Sequence, residues 1–202
     1  MRGGSTGPAN QTNAMTKAPV IILSGPAGSG KTTVAARVLA ESGLPLRRAI
    51  TATTRPPRPG ERDGVHYFFL EPAAFEARIE TGDFLEHATV HGNHYGTPRS
   101  EVEPYCAAGV GVLLVIDVQG AEQVRRNCPD CVSIFLLAPS LDVLRQRMNQ
   151  RGQDDDKSIR CRLDTAKREL QRAGEFQHRV LNDDLDTTVH EVIGIIRDHF
   201  RE

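Results

Sequence analysis

The stretch that most constrains the fold of this chain lies at residues 25–32, Gly-Pro-Ala-Gly-Ser-Gly-Lys-Thr. It follows the apolar run at 20–23 and opens an amphipathic segment. In the pattern G-x-x-x-x-G-K-[ST], glycines let main-chain N–H groups close around an anion, the lysine adds a charge, and the hydroxyl can bind Mg²⁺. An accidental glycine-rich turn is disfavoured by the strand before it and the helix after it. The sequence therefore predicts a strand, loop and helix that bind a nucleoside triphosphate.

The residues predicted to hold the triphosphate are those of the loop and the first helical turn: Gly25, Pro26, Ala27, Gly28, Ser29, Gly30, Lys31, Thr32 and Thr33. Lys31 is expected to reach the β and γ phosphates and to take part in catalysis. Thr32 is the predicted protein ligand of Mg²⁺, the expected cofactor.

Composition excludes several classes of partner. The chain has 202 residues, which suits one α/β domain, and its 25 basic and 26 acidic residues leave a net charge of −1. With so small a net charge, the protein as a whole has no electrostatic field that would attract nucleic acid or an anionic membrane. The longest apolar run, 110–116, is too short to span a bilayer. We expect neither nucleic acid nor membrane as a partner.

The N-terminal residues and the cysteines indicate the cellular compartment. Residues 1–19 are rich in Gly, Ser, Thr, Asn and Pro, with no apolar core of a signal peptide, so a disordered N-terminal tail is predicted. Cys128-Pro-Asp-Cys131 has metal-ligand spacing, but no second pair completes a zinc site. The four cysteines are expected to be reduced thiols in a cytoplasmic protein.

Strand and helix patterns alternate along the chain, which indicates an α/β fold with a parallel sheet and flanking helices. Strands are predicted at 20–24, 65–70, 111–116, 132–137 and 180–181, with two more within 82–97 that turn at Gly92-Asn93. Helices are predicted at 31–42, 71–80, 98–108, 141–148 and 156–173. A last helix carries an apolar stripe of Leu185, Val189, Val192, Ile193, Ile196 and Phe200.

A second anion site is predicted within 51–98. Arg55 and Arg58 lie three residues apart on a proline-stiffened turn, and the hydroxyls of Tyr67 and Tyr95 follow. Arginine binds phosphate through two parallel N–H groups, so a rigid pair suits a second phosphate. The alternative is a solvated charged loop. The prolines disfavour it, because a rigid backbone increases the affinity for a ligand only where the positions of the binding groups matter.

Six blocks in order give the chain a specific resemblance to the guanylate kinase family, from about Pro19 to the last helix. They are GPAGSGKT (25–32), TATTRPPRPGERDGVHYFF (51–69), FLEHATVHGNHYGT (84–97), IDVQGAEQVR (116–125), RMNQRG (147–152) and NDDLD (182–186). The resemblance implies a P-loop kinase core over 20–202, an inserted nucleoside-monophosphate-binding sub-domain at about 51–98 and a mobile lid at about 147–170. It also implies transfer of the γ-phosphoryl of ATP to GMP, and to dGMP, in purine metabolism.

The resemblance further assigns roles to single residues. The GMP phosphate would be held by Arg55, Arg58, Tyr67 and Tyr95. Guanine would be read by Glu86 and Asp117, with Thr51 and Thr97 beside the base. The catalytic lid arginines would be Arg147, Arg151 and Arg162, and Asn182 would lie near the adenine of ATP. Asp117 can also be a helix N-cap, a role compatible with base reading, while Asp154, Asp155 and Asp156 are expected to be a solvated run that caps the next helix.

One residue departs from the family pattern, and two rival functions compete. Val115 stands where the family commonly has an acidic residue, which puts an accessory metal or orienting role in doubt. A guanylate-kinase-like scaffold module typically has a degraded phosphate loop, whereas this loop is intact. A kinase of a phosphorylated sugar should lose the guanine-reading pair, whereas Glu86 and Asp117 are retained. The sequence leaves monomer and homodimer open.

Overall fold

The computed structural model describes residues 18–90, 92–150 and 156–200, with only the backbone described at 156–158. Outside this range lie most of the predicted tail and three residues of the sequence predictions: Arg151, Asp154 and Asp155. Ala18 and Pro19 were assigned to the tail, but both join the folded part. The N–H of Ala18 donates to the carbonyl of Cys106, and the carbonyl of Pro19 accepts from Val112, each at 3.1 Å.

Nine strands and seven helices make up the described part of the chain. The strands are β1 (Val20–Ser24), β2 (Leu46–Arg48), β3 (Ala52–Thr53), β4 (Phe68–Phe69), β5 (Phe84–Val90), β6 (Asn93–Pro98), β7 (Gly111–Val115), β8 (Val132–Leu137) and β9 (His178–Leu181). The helices are α1 (Lys31–Glu41), α2 (Pro72–Glu80), α3 (Glu103–Ala107), α4 (Val118–Asn127), α5 (Leu141–Asn149), α6 (Asp156–Gln171) and α7 (Leu185–His199). Short 3₁₀ turns lie at Arg99–Glu101 and Ala173–Glu175.

A five-stranded parallel sheet, in the order β2-β7-β1-β8-β9, forms the centre of the molecule. Helices α1 and α7 cover one face, where the apolar stripe of α7 packs on Val34 and Val38. Helices α3 and α4 cover the other face through residues such as Cys106 and Val124. Strands covered on both faces read as unbroken apolar runs. The predicted α/β fold with a parallel sheet and flanking helices is therefore confirmed.

A second, smaller sheet lies within residues 52–98, in the order β4-β3-β6-β5. Strands β5 and β6 form the predicted hairpin, and Gly92 in its turn has a φ of 79°. Phe75 of α2 stacks on Phe84 with ring centroids 4.5 Å apart and gives this sheet its own apolar cluster. Helices α5 and α6 pack together through Leu144, Met148 and Ala166.

Some predicted elements are wrong in extent, and two short strands, β2 and β3, were not predicted. The strand expected at 65–70 is only Phe68–Phe69, because the N–H groups of Val65 and His66 both donate to the carbonyl of Arg62 and close a turn. Val65 is accordingly 53% exposed. The helix expected at 98–108 breaks at Val102, where φ is −122°, and α3 restarts beside Pro104, which lacks an N–H. Strand β2 was missed because it is short and only partly buried.

No helix within the described ranges is long and apolar enough to cross a membrane.

Candidate active site

The loop predicted to bind phosphate runs from the end of β1 to the start of α1. Gly25 has a φ of 141° and Gly30 a φ of 96°, backbone conformations that residues with a side chain rarely adopt. A Cβ on Gly25 would collide with the carbonyl oxygen of Leu136. Because glycine has no Cβ, the loop can lie directly against β8. Helix α1 begins without a side-chain cap, and its first N–H groups are therefore directed to the space above the loop.

Lys31 bends back over this loop. Its Nζ donates to the carbonyls of Gly25 and Pro26 at 2.6 and 3.0 Å. The ammonium group therefore lies at the concave side of the loop, where a phosphate would meet it. Thr32 and Thr33 follow in the first helical turn and are exposed, so their hydroxyls are open to a ligand.

Asn182 lies behind the loop. The side chain is only 4% exposed, and its Nδ2 donates to the carbonyl of Ser29 at 2.7 Å. A Cβ on Gly30 would collide with the same Nδ2. The structure thus shows that Asn182 supports the loop backbone. Its expected position near the adenine of ATP stays a prediction.

The proline-stiffened turn holds its two arginines through a residue that the sequence analysis missed. Glu61 accepts from both terminal nitrogens of Arg55 at 2.6 Å and from the main-chain N–H of Arg58 at 2.8 Å. The Arg55 guanidinium lies 5.0 Å from the ring centroid of Tyr67, and the rings of Tyr67 and Tyr95 are 6.2 Å apart. The four residues predicted to hold a phosphate therefore lie together on the smaller sheet and its turn.

Glu86 of β5 is a buried carboxyl group, 3% exposed, at the inner end of this region. Its Oε1 accepts from the hydroxyl of Thr97 at 2.6 Å. Burial raises the pKa of Glu86 to about 7, against the effect of the Thr97 hydrogen bond, and the charge of Asp117 raises it further. The group is therefore poised to ionise when a ligand supplies hydrogen-bond donors.

Asp117 follows β7 and caps α4. Its Oδ1 accepts from the main-chain N–H groups of Gln119 and Gly120 at 3.0 and 2.8 Å. The N-cap alternative is therefore observed. The cap orients the carboxylate so that Asp117 also lines the same cavity as Glu86.

One cavity of about 280 Å³ joins the two predicted anion sites. Ten of the predicted site residues line it: Gly25, Ala27, Lys31, Thr51, Arg58, Tyr67, Glu86, Tyr95, Asp117 and Arg162. The other predicted site residues that the structure describes do not line it. Arg55 is held by Glu61, Thr97 by Glu86, and Asn182 by the loop.

The arginines predicted for the lid differ in position. Arg162 of α6 lines the cavity. Arg147 of α5 donates to the carbonyl of Asn182 at 3.1 Å, and its other terminal nitrogen is buried with no hydrogen-bond partner among the described residues. A buried unsatisfied donor is costly, which suits a group that acquires an anionic partner. Arg151 lies outside the described residues.

The comparisons with known proteins agree with this geometry. The guanylate kinase family model matches residues 17–199. The chain is 45% identical over 183 residues to a guanylate kinase of Hahella chejuensis, covering 91% of this chain and 88% of that one. It is 46% identical over 174 residues to a guanylate kinase of Alkalilimnicola ehrlichii, covering 86% and 85%.

This chain belongs to the guanylate kinase family. A solved structure supports the assignment: a guanylate kinase from Anaplasma phagocytophilum matches with a TM-score of 0.77 and 30% identity, covering 94% of this chain and 90% of that one. Membership makes the chain a kinase, a nucleotide-binding phosphotransferase enzyme.

A second residue that sequence reasoning missed is Glu169 of α6, which lines the same cavity as Val115, the residue that departs from the guanylate kinase pattern. Burial raises the pKa of Glu169 to about 7, with Asp117 raising it and Lys31 lowering it. Its spacing from Arg162 and Thr165 puts all three on one face of α6. That face, set by a period of 3.6 residues, was the signal that could have identified it.

Proposed function

We propose that this enzyme transfers the γ-phosphoryl group of ATP to GMP and yields ADP and GDP. The observation that carries the proposal is one cavity that is lined both by Lys31 and Gly25 of the glycine loop and by Glu86 and Asp117. The loop and the lysine suit a triphosphate, and the two carboxyl groups suit a base that donates hydrogen bonds. A cavity of this kind would bring the two substrates into contact without water between them.

Guanine is the base that fits two carboxyl groups. Its N1–H and exocyclic N2 amine are donors on one edge, and we propose that Glu86 and Asp117 accept from them. Adenine has an unprotonated N1 and no N2 amine, so it would leave buried carboxylates unpaired. Sites of this kind reject the analogue that lacks the donors by up to ~10⁴–10⁵. Thr51 lies beside them in the wall of the cavity, and Thr97 orients Glu86.

The acceptor phosphate would lie against the arginine turn. We propose that Arg55 and Arg58 bind its oxygens with the hydroxyls of Tyr67 and Tyr95. Arg58 and both tyrosines already line the cavity, and Glu61 holds Arg55 beside Tyr67. These contacts go to the base and the phosphate, which dGMP shares with GMP. We therefore expect dGMP to be a substrate as well.

The transfer needs alignment and charge neutralisation rather than a strong base, because the attacking group is an ionised phosphate oxygen. A new bond forms from that oxygen to the γ phosphorus, and the bond from the γ phosphorus to the ADP oxygen breaks. Lys31 and the lid arginines Arg147, Arg151 and Arg162 would neutralise charge on the moving group. The amide of Asn182 would hold the loop in the shape that the phosphates require.

Magnesium fits this site as a companion of the nucleotide. No group of three or more His, Cys, Asp or Glu side chains in the part of the chain described could hold a metal, whereas the Thr32 hydroxyl is exposed at the start of α1. Mg²⁺ usually takes one or two protein ligands and completes its shell with phosphates and water. Thr32 would therefore be its protein ligand, and the ion would supply charge neutralisation on the phosphates.

A panel of acceptors tests the proposal. The purified enzyme is supplied with ATP and Mg²⁺ and with GMP, dGMP, AMP or ribose 5-phosphate, and ADP release is followed in a coupled assay. We expect turnover with GMP and dGMP and at least ~10³-fold lower kcat/KM with AMP, because unpaired carboxylates penalise adenine. Turnover with ribose 5-phosphate alone, or equal use of AMP and GMP, would contradict the proposal.

A further inference from the structure

Gly120, the third residue of α4, is packed against the carboxyl group of Glu86. A Cβ built on Gly120 would lie 3.0 Å from Cδ of Glu86 and closer still to its Oε2. Carbon and oxygen atoms that are not bonded do not approach so closely, so a side chain at position 120 would force something to move. The space beside the carboxyl group thus exists because residue 120 has no side chain.

The surrounding contacts prevent the strand from moving away. Strand β5 is the edge of its sheet, and α4 runs along that edge. The Gln123 amide accepts from the His87 N–H at 3.1 Å and donates to the His87 carbonyl at 2.6 Å. Nδ2 of Asn127 donates to the carbonyl of Leu85 at 2.8 Å. The residues on both sides of Glu86 are therefore tied to α4.

These ties share one face of the helix with the glycine. Positions 120, 123 and 127 follow the spacing i, i+3 and i+7, which brings side chains to one side of an α-helix. The helix is therefore held close to β5 by two amides while a glycine leaves room for the carboxyl group. On the other side of Glu86, the hydroxyl of Thr97 holds Oε1 at 2.6 Å. A bulkier residue at 120 would be accommodated by turning the carboxyl group.

We infer that Gly120 is a specificity-determining positioning residue: its missing side chain fixes where the Glu86 carboxyl group lies and thus how well guanine is distinguished from other purines. The inference rests on the proposed function, in which Glu86 accepts from N1–H and the N2 amine of GMP. Gly120 touches no substrate atom in this role and acts only through Glu86. Its N–H still donates to Asp117 in an alanine variant, because the main chain keeps that group.

The test replaces Gly120 by alanine and compares GMP with IMP, which has N1–H but lacks the N2 amine. A displacement of about 1 Å in a positioning contact can cost ~10²-fold in rate. We expect Gly120→Ala to lower kcat/KM for GMP by about that factor and to lower the ratio of GMP to IMP efficiency at least ~10-fold. The KM for ATP should stay within about twofold, since the loop is untouched.

Two further variants make the result specific. Gly194→Ala in α7 is the matched control, because a Cβ there meets nothing within 4 Å. It should leave selectivity unchanged. In a Glu86→Ala background, adding Gly120→Ala should cost little further, because the carboxyl group that it would displace is gone. An equal loss in both backgrounds would overturn the inference.

Folding and function can be separated in the same series. If Gly120→Ala does not fold, the double variant with Glu86→Ala should fold, and failure of both would overturn the inference. A folded Gly120→Ala with an unchanged GMP to IMP ratio would also overturn it. The proposed function fails in a different way: the unmodified enzyme would make no GDP, or Glu86→Ala alone would leave the ratio unchanged.

Discussion

The guanidinium of Arg55 and the carboxylate of Glu61 form a two-bonded ion pair, with both N–O distances at 2.6 Å. The same carboxylate accepts from the main-chain N–H of Arg58 at 2.8 Å. One acidic side chain therefore fixes both arginines of the turn. The hydrogen bonds from Arg55 are the largest of the effects that lower the pKa of Glu61 to about 2, so it stays ionised throughout the neutral range.

Glu61→Gln should weaken the binding of GMP and leave the binding of ATP unchanged. Loss of a two-bonded charged pair frees Arg55, so we expect the KM for GMP to rise about tenfold, equivalent to about 1.4 kcal/mol. The KM for ATP should not change. The control is Glu103→Gln, which removes an exposed pair with Arg99 and should leave both constants unchanged. An equal rise in the KM for ATP would contradict this role for Glu61.

The binding of GMP should depend on pH through Glu86. Its pKa of about 7 means that the carboxyl group is largely protonated at pH 6, whereas the proposed contacts need the ionised form. We expect the affinity for GMP to increase from pH 6 to pH 8 and to level off above that, as measured by calorimetry. The Glu86→Gln variant keeps the titration of the GMP phosphate and removes that of Glu86. A pH profile unchanged in Glu86→Gln would contradict the assignment.

The same carboxyl group should make stability depend on pH in the opposite sense. Burial raises the folded-state pKa of Glu86 above its usual value of 4.5, so the folded state binds the proton more tightly than the unfolded state. Its contribution to stability is full below about pH 4.5 and is lost as pH rises through about 7. Relative to the unmodified protein, Glu86→Gln should gain up to about 3 kcal/mol between pH 5 and pH 8. Urea unfolding at both pH values tests this, and a constant difference would contradict it.

Lys31→Met should nearly abolish phosphoryl transfer and leave the fold intact. The lysine charge lies at the concave side of the loop, and loss of a charge that stabilises the moving phosphoryl group can cost ~10³–10⁵ in kcat. Lys167→Met is the control, because Lys167 is exposed on α6 and pairs with nearby Asp164. Thermal unfolding of both variants should match the unmodified enzyme. Near-normal turnover by Lys31→Met would contradict the role.

Asn182→Ala should weaken every triphosphate donor equally. The variant leaves the carbonyl of Ser29 buried without its donor, which costs about 1–3 kcal/mol and loosens the loop. We expect the KM for ATP and for GTP as donor to rise by the same factor, about tenfold, and the KM for GMP to stay the same. If Asn182 instead reads adenine, the preference for ATP over GTP will change and this prediction will be wrong.

The central sheet could be predicted from the sequence because its strands are covered on both faces and read as unbroken apolar runs. Strand β2 gives no such signal, since its three residues are only partly buried. The strand predicted at 65–70 was too long because a local turn at Arg62 uses main-chain groups that a strand would have needed. The periodicity of the sequence alone does not show to which carbonyl a given N–H will donate.

The candidate site likewise contains residues that the sequence predicts and residues whose contacts only the fold reveals. The glycine loop and the arginine turn are local patterns, so residues such as Lys31 and Arg58 could be proposed from spacing, and the remaining roles from resemblance. Glu61 and Gly120 act through contacts that form only in the folded chain. Glu86 and Gly120 are 34 positions apart, and only the approach of α4 to β5 brings them together. The contact of Asn182 with the loop is of the same kind, because nothing in the sequence reveals that Gly30 leaves room for its amide.

The most direct test follows one labelled phosphoryl group. ATP labelled at the γ phosphorus is mixed with GMP, Mg²⁺ and excess enzyme, and the products of a single turnover are separated by ion exchange. The label should appear in the β position of GDP, with little released as free phosphate, because the proposal places both nucleotides in one cavity. Label that stays in ATP, or that appears mainly as free phosphate, would contradict the account.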